Sequence, residues 1–278
     1  MKLRVVTYNI HKGVMRAPWS GRPRARIHEL RLALGHCKGD LLFLQEVQGE
    51  HQRHAMHVAH WPAPPQHEFL AQSVEPGYYH AYGKSAVYLH GHHGNAILSR
   101  FPILASEHRD ISDHVMEKRG ALHVQIRLPV CTVALESAPA LAQEALVLHC
   151  FVVHLGLLSA GRLRQMRALV DWVRSAVPAH APLIIAGDFN DWNNRLGDAL
   201  CDRIALAEVH ESFRQRPAAR TFPSWMPWLR MDRIYQRGFE VEEARVLKGR
   251  RWAQLSDHVP VLADLVLQRS KPARGEGT

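Results

Sequence analysis

The 278-residue chain predicts an α+β fold in which two β-sheets pack together and helices cover their outer faces. Three observations carry this expectation. Short apolar runs rich in β-branched residues recur from end to end, separated by only a few stretches of helical period. The second half repeats the order of the first, a strand, then a helix, then another strand. Strands of both halves also end in polar residues, among them Asn9, Glu46, His154 and Asp188. Hydrophobic residues make up 46% of the chain, enough for a sizeable core, and no linker divides it. Residues 1–268 are therefore expected to form one domain.

The first strand is Val5 to Ile10, followed by a Gly/Pro-rich loop through Pro23. Arg24 to His36 reads as a helix, because Ile27, Leu30 and Leu34 share one face. Leu41 to Leu44 is a short buried strand that runs into Gln45-Glu46. A segment rich in proline and histidine continues to about Tyr82, and Ala86–Leu89 and Ala96–Leu98 read as paired strands. Leu122, Val124, Ile126 and Leu128 alternate with His123, Gln125 and Arg127, the pattern of a half-buried strand.

Pro129 to Glu144 is alanine-rich and reads as a connection between the halves. Leu146 to Val153 is a strand ending at His154. Gly161 to Val177 is an amphipathic helix with Leu163, Met166, Leu169, Val170 and Val173 on its apolar face. A strand ending in Asp188 follows. Val259, Val261, Ala263, Leu265 and Leu267 alternate as a last strand, and the polar tail from Arg269 is expected to be disordered.

Composition narrows the setting. No stretch reaches the roughly 18 apolar residues of a membrane helix. The first residues lack the apolar core and cleavage site of a signal peptide. Cys37, Cys131, Cys150 and Cys201 are scattered without a CxxC pair, which points to free thiols in the cytoplasm, with an inner-membrane periphery as the variant of that location. The net charge of +9 has two readings, an anionic partner such as nucleic acid or phospholipid, or simple solubility and host composition. Oligomeric state is not legible.

The most informative segment is Leu183-Ile184-Ile185-Ala186-Gly187-Asp188-Phe189-Asn190-Asp191. A buried strand delivers Asp188 and Asn190 two residues apart, on one side of an extended backbone, at its exposed end. Polar groups there are costly unless they serve a site. Asn9, Glu46, His154, Asp232 and Asp257-His258 lie at or next to other strand ends. Each alone reads as a cap or turn residue. Their joint placement is harder to explain that way.

These residues fall in blocks that resemble the endonuclease/exonuclease/phosphatase superfamily, the DNase I-like fold. The blocks are Thr7-Tyr8-Asn9-Ile10, Leu44-Gln45-Glu46-Val47, Gly94-Asn95-Ala96-Ile97-Leu98-Ser99-Arg100 and Val153-His154-Leu155. Gly187-Asp188-Phe189-Asn190, Met231-Asp232-Arg233-Ile234 and Ser256-Asp257-His258 complete them, in the family's order. His92-His93-Gly94-Asn95, Glu117-Lys118-Arg119-Gly120 and Thr221-Phe222-Pro223 resemble a bacterial branch sometimes encoded beside a cardiolipin synthase.

The resemblance implies a four-layer αββα sandwich of two mixed sheets, and metal-dependent hydrolysis of a phosphodiester. Glu46 would be the main Mg²⁺ ligand, with Asn9 and Asp257 in support and Mn²⁺ able to substitute. Asp188 would orient or deprotonate the attacking water, and Asn190 would hydrogen-bond phosphate or nucleophile. His258 would contact the scissile phosphate, its tautomer set by Asp232. His154 is the candidate acid for the leaving oxygen. Asn95, Arg119 and His11 are candidate substrate contacts. Ile10-His11 stands where abasic-site repair endonucleases carry an aspartate after the asparagine, and His154 where they carry a tyrosine, which argues against that role.

Other readings compete. His90-Gly91-His92-His93 invites a zinc hydrolase, but Gly94-Asn95 follows where the zinc motif needs an aspartate. Lys118-Arg119 reads equally as a phosphate fork or a solvated turn. Trp225-Met226-Pro227-Trp228 could stack on bases, enter a lipid surface or cover the core. A non-catalytic nucleic-acid-binding module would explain the charge, yet converging carboxylates repel a polyanion unless a metal intervenes. The expected substrate is DNA or RNA, with a phospholipid or inositol phosphate as runner-up. The loops Lys12–Pro23, His51–Tyr82 and Pro223–Arg230 would decide between them.

Overall fold

Apolar runs too short for helices become the central strands of two six-stranded sheets in the computed structural model, which describes residues 1–16, 23–129, 146–213 and 218–268. The alanine-rich connection beyond Pro129 and the tail from Arg269 lie outside the described residues.

The chain begins with β1 (Lys2–Asn9), a 3-10 turn (His11–Gly13) and the small hairpin β2 (Val14–Arg16) and β3 (Pro23–Ala25). Next come α1 (Ile27–Cys37), β4 (Leu41–His51), α2 (Gln52–His57) and α3 (Gln66–Ala71). Then follow β5 (Tyr79–Tyr88), β6 (Gly91–Ser99), β7 (Ile103–Asp110) and β8 (Gly120–Leu128). The second half runs β9 (Leu146–His154), α4 (Ser159–Ala176), β10 (Leu183–Asp188), α5 (Gly197–Ile204) and β11 (Ala207–Glu208). It closes with α6 (Val209–Ser212), β12 (Asp232–Arg237), β13 (Phe239–Val246), α7 (Arg250–Ala253) and β14 (Val261–Leu267).

One sheet has the order β13-β14-β1-β4-β6-β5, the other β11-β12-β10-β9-β8-β7. Each contains one parallel pair joined through a helix, β1 to β4 across α1 and β9 to β10 across α4. The remaining pairs are antiparallel, so both sheets are mixed. The repeated strand-helix-strand order is thus two copies of one crossover. Three apolar clusters define four layers. Leu3, Phe43, Ile97, Val124, Ile184 and Ile234 fill the space between the sheets. Leu30 and Leu34 of α1 and Leu70 of α3 cover the first sheet. Met166, Leu169 and Trp172 of α4, with Ile204 of α5, cover the second.

Several elements differ from the sequence expectation, for identifiable reasons. The strand expected at Leu41–Leu44 runs on to His51, because pairing with β6 continues past a bulge at Gln45-Glu46. The loops up to Pro23 and Tyr82 hold β2, α2 and α3, elements too short for periodicity to mark, and β3 takes the start of the helix expected from Arg24, which begins only at Ile27. The same pairing extends the two short strands expected at Ala86–Leu89 and Ala96–Leu98 into the long hairpin β5–β6. Edge strand β7 is largely polar and escaped notice. β8 is buried on both faces: His123 stacks on Phe151 at 4.2 Å and meets Trp172 edge-on at 5.8 Å under α4. On α4, Leu163 points outward and Trp172 takes the core face. In β14, Leu262 and Asp264 are buried as well, since α1 and Arg4 cover that side.

Gly187 does not end its strand but lies inside it, at φ +154 with its missing Cβ only 1.9 Å from the Val153 carbonyl oxygen. Neither backbone can yield without breaking the β9–β10 ladder. Gly187→Ala is expected to destabilise the fold by more than about 2 kcal/mol, read as a lower urea midpoint at unchanged m-value.

Candidate active site

Parallel strands joined by crossovers deliver their carboxyl ends to one edge, and the antiparallel strands beside them begin there. Register does the rest. Asp188 at the end of β10 sits opposite His154 of β9 on one side and Asp232 of β12 on the other. Three polar side chains thus stand in a row on the second sheet. From the first sheet, Asn9 ends β1 opposite Gln45, and Glu46 occupies the bulge of β4 at φ +54. A glutamate in that left-handed region stores strain of roughly 1–3 kcal/mol, as does Asn190 at φ +51.

The row on the second sheet is completed from the first. His258, in the loop entering β14, places Nδ1 2.7 Å from Asp232 Oδ2 and Nε2 3.7 Å from Asp188 Oδ2. Burial opposes protonation of His258, yet Asp232 and Asp188 outweigh it and push the imidazole up to about 10. Asp188 is itself raised to about 6, first by burial and then by Asp232, with the His258 charge opposing. It also accepts from Asn9 Nδ2 at 3.1 Å and from the Asn190 backbone N–H at 3.0 Å. Asn190 Nδ2 donates to the Leu155 carbonyl at 2.8 Å. His154 Nε2 lies 3.5 Å from Asp188 Oδ2. Burial, followed by Arg119, holds His154 well below its ordinary range, so it is neutral near pH 7.

Glu46 forms a second corner. Its Oε1 is 3.5 Å from Asn9 Nδ2, and its buried Oε2 has no hydrogen bond, only the Lys12 ammonium 3.2 Å away. Burial disfavours its charge, but the cations around it hold the carboxyl well below the carboxylate range. His154 is named first among them, but because burial keeps it neutral, Lys12 and then His11 are the cations that keep Glu46 ionised. His11 Nδ1 meets Asp257 Oδ2 at 3.2 Å. That hydrogen bond raises His11, and against burial it helps keep Asp257 low.

The fold therefore gathers Asn9, Glu46, His154, Asp188, Asn190, Asp232, Asp257, His258 and His11 at one edge. Asn95 and Arg119 border it differently. Asn95 is buried and donates Nδ2 to the carbonyls of Gly120 at 2.7 Å and Val152 at 3.3 Å, tying one sheet to the other. Arg119 spends Nε on the Leu155 carbonyl at 3.1 Å and a terminal nitrogen on Glu117 at 3.0 Å. Both line a small cavity with Glu46, His93 and His154.

Four supporting residues had no role in the sequence reading. Lys12 reaches Glu46 because His11, Lys12 and Gly13 all adopt positive φ, held by the buried Gln66, whose Nε2 donates to the Lys12 carbonyl at 2.8 Å. Adjacency to Asn9 was the only available signal. Thr221 Oγ1 accepts from the Asp232 N–H at 3.2 Å, and Ser256 Oγ donates to the Asn9 carbonyl at 2.7 Å.

Two oxygen-rich sets could attract a divalent ion. Ligand atoms of Asp188, Asp232 and His258 lie within 4.8 Å of one another. A protonated imidazole is no ligand, however, and its charge already answers both carboxylates. The Glu46 corner fits better: an ionised, buried Oε2 without a hydrogen bond, the Asn9 amide beside it and Asp257 near His11 are hard donors of the kind Mg²⁺ accepts.

A model of the Endonuclease/Exonuclease/phosphatase family matches residues 6–258. The Escherichia coli protein YbhP is 40% identical over 264 residues, covering 95% of this chain and 96% of its own length. An endonuclease/exonuclease/phosphatase structure from Beutenbergia cavernae superposes with a TM-score of 0.71 at 21% identity, over 96% of this chain and 72% of the other. D. rerio TDP2 complexed with a single-strand DNA product gives 0.64 at 17% identity, over 95% and 99%.

His258 binds its second proton more tightly folded than unfolded, so its contribution to stability is complete below about 6.5 and is lost as pH rises through about 10. Asp232→Asn is expected to lower the His258 pKa and flatten that decline. NMR titration of the His258 ring and urea midpoints between pH 6 and 10 measure the two effects.

Proposed function

The chain belongs to the endonuclease/exonuclease/phosphatase family, and from that premise we propose that it is a metal-assisted hydrolase of phosphodiesters. Members of this family hydrolyse phosphate ester bonds. The observation that carries the reading is Asp188, a buried carboxylate pushed up to about 6 and surrounded by Asn9, His154 and His258.

Asp188 is anionic at neutral pH yet holds a proton more firmly than a solvated aspartate, as a base for water requires. The Asn9 amide and the Asn190 N–H fix its two oxygens in orientation. His258, charged and aimed by Asp232, offers its Nε2 proton to a phosphoryl oxygen and offsets the developing charge. His154, as a neutral imidazole, serves as a hydrogen-bond donor near the leaving oxygen. Glu46, Asn9 and Asp257 would hold Mg²⁺, with Mn²⁺ as substitute, and the ion would supply Lewis-acid charge at the phosphoryl oxygens. The Lys12 ammonium, 3.2 Å from Glu46 Oε2, would give up that oxygen to the ion.

Nucleic acid is supported as substrate by the net charge of +9 and by the DNA-bound structural neighbour. A lipid phosphodiester is supported by the apolar residues around the cleft, Trp225 and Trp228 among them.

With Mg²⁺ or Mn²⁺, the protein is expected to cleave at least one of plasmid DNA, RNA, phosphatidylglycerol, cardiolipin and inositol phosphates, and to stop on chelation. Asp188→Asn should lower turnover by about 10³-fold with little change in KM. Equal activity of wild type and variant, or turnover indifferent to chelation, would refute the mechanism.

A further inference from the structure

Most large apolar side chains exposed among the described residues crowd the edge that carries the catalytic groups. They sit on separate loops. Leu89, 87% exposed, tips the β5–β6 hairpin. Met116, 86% exposed, and Val115 lie between β7 and β8. Leu158, 67% exposed, and Leu157 follow the end of β9, and Trp192 follows β10. Trp225 and Trp228, 72% and 58% exposed, bracket Met226 ahead of β12.

These loops are physically joined to the site and to each other. The Leu157 N–H donates to Glu117 Oε1 at 3.0 Å, linking the second and third loops. The Arg162 guanidinium lies 4.8 Å from the Trp192 ring centroid while donating to the Gly156 carbonyl at 3.2 Å. On the opposite side, the Ser224 N–H donates to the Asp257 carbonyl at 2.7 Å, and Phe222 packs on His258 with ring centroids 5.0 Å apart. Apolar tips therefore stand on both flanks of the Asp188–His258 pair.

Cations follow the tips in sequence. Arg195 comes three residues after Trp192 and Arg230 two after Trp228, while Lys118, two after Met116, lies 3.8 Å from the Asp110 carboxylate. Indole rings and aliphatic tips backed by lysine and arginine match the boundary between acyl chains and anionic headgroups. Nucleic acid would use the cations and could stack on the indoles, but its interfaces are polar, and Leu89, Met116 and Leu158 would gain nothing there.

We propose that this face docks on an anionic phospholipid bilayer, with the catalytic cleft turned toward the headgroups and a lipid phosphodiester as the substrate class. The substrate half of the proposal rests on the hydrolase reading above; the docking half stands on the surface alone.

The test uses the full chain in flotation with vesicles of phosphatidylcholine, with and without phosphatidylglycerol, alongside Mg²⁺-dependent hydrolysis of soluble bis(p-nitrophenyl) phosphate. Binding is expected with phosphatidylglycerol, weakening without it and at high salt. Trp225→Ser/Trp228→Ser and, on an independent loop, Leu157→Ser/Leu158→Ser should each weaken vesicle binding by about tenfold or more, since each removes buried apolar area. Both should hydrolyse the soluble diester at the wild-type rate, which also reports their folding. Asp188→Asn should bind vesicles normally and hydrolyse nothing.

Wild-type protein that cleaves the soluble diester but ignores vesicles overturns the docking and leaves the hydrolase reading standing. Vesicle binding without turnover of any diester overturns the hydrolase reading and leaves the docking. Loss of DNA binding in the two surface variants, without vesicle binding by wild type, would assign the face to nucleic acid. A dimer dissociated by the same variants would assign it to a second copy. Either result overturns the proposal.

Discussion

Two carboxylates, Asp188 and Asp232, stand opposite each other across the β10–β12 ladder, both fully buried. Like charges at that spacing would expel a proton-free state or unfold the edge unless a cation answered them. His258 is that cation, and it comes from the other sheet, in the loop entering β14. The compensation of charge therefore spans the sheet interface. Whatever holds the sheets in register, above all the apolar layer of Phe43, Ile97, Val124 and Ile184, also holds the electrostatics of the site.

The same dependence recurs in other contacts. Asn9 belongs to the first sheet and Asp188 to the second, yet the amide donates across at 3.1 Å. Asn95 of β6 donates to the carbonyls of Gly120 and Val152, which belong to β8 and β9. These bonds lie between rigid strands and not on loops, which is how a site keeps sub-ångström placement. Irregular backbone contributes differently. His11, Lys12, Glu46 in its bulge and Asn190 all adopt positive φ next to a charged or amide partner in the site, whereas Lys38 and Ala205 do so as ordinary helix C-caps.

Charge divides the edge into two corners with distinct chemistry. Around Asp188, one imidazolium stands against two carboxylates, leaving a net negative charge that the Asn9 amide and the Asn190 N–H help to satisfy. Around Glu46, a buried ionised carboxylate is answered by the Lys12 ammonium 3.2 Å from its Oε2. Asn9 touches both corners and couples them. Beyond the polar floor, the rim turns apolar, which sets the kind of surface that can approach before any chemistry occurs.

Much of this was legible in the residues themselves. Periodicity and apolar runs located β1, β8, β9, β10, β14 and both crossover helices, because burial leaves a mark in sequence, while β12 and β13 were not read as strands. Asn9, Glu46, His154, Asp188, Asp232 and His258 stood out because polar groups at the ends of apolar strands need a reason. Short elements such as α3 and the polar edge strand β7 were invisible, since their existence depends on neighbours and not on their own period. The second face of β8 was misread because its cover, Trp172, lies some fifty residues away on α4. Sequence alone determined which polar side chains stand at the ends of apolar strands, for strand ends and apolar runs are local properties. Only the tertiary structure decided their charge states, the partnership of Lys12 with Glu46 and the apolar ring about the cleft. Each of those depends on distances between segments that only the packing of the two sheets defines.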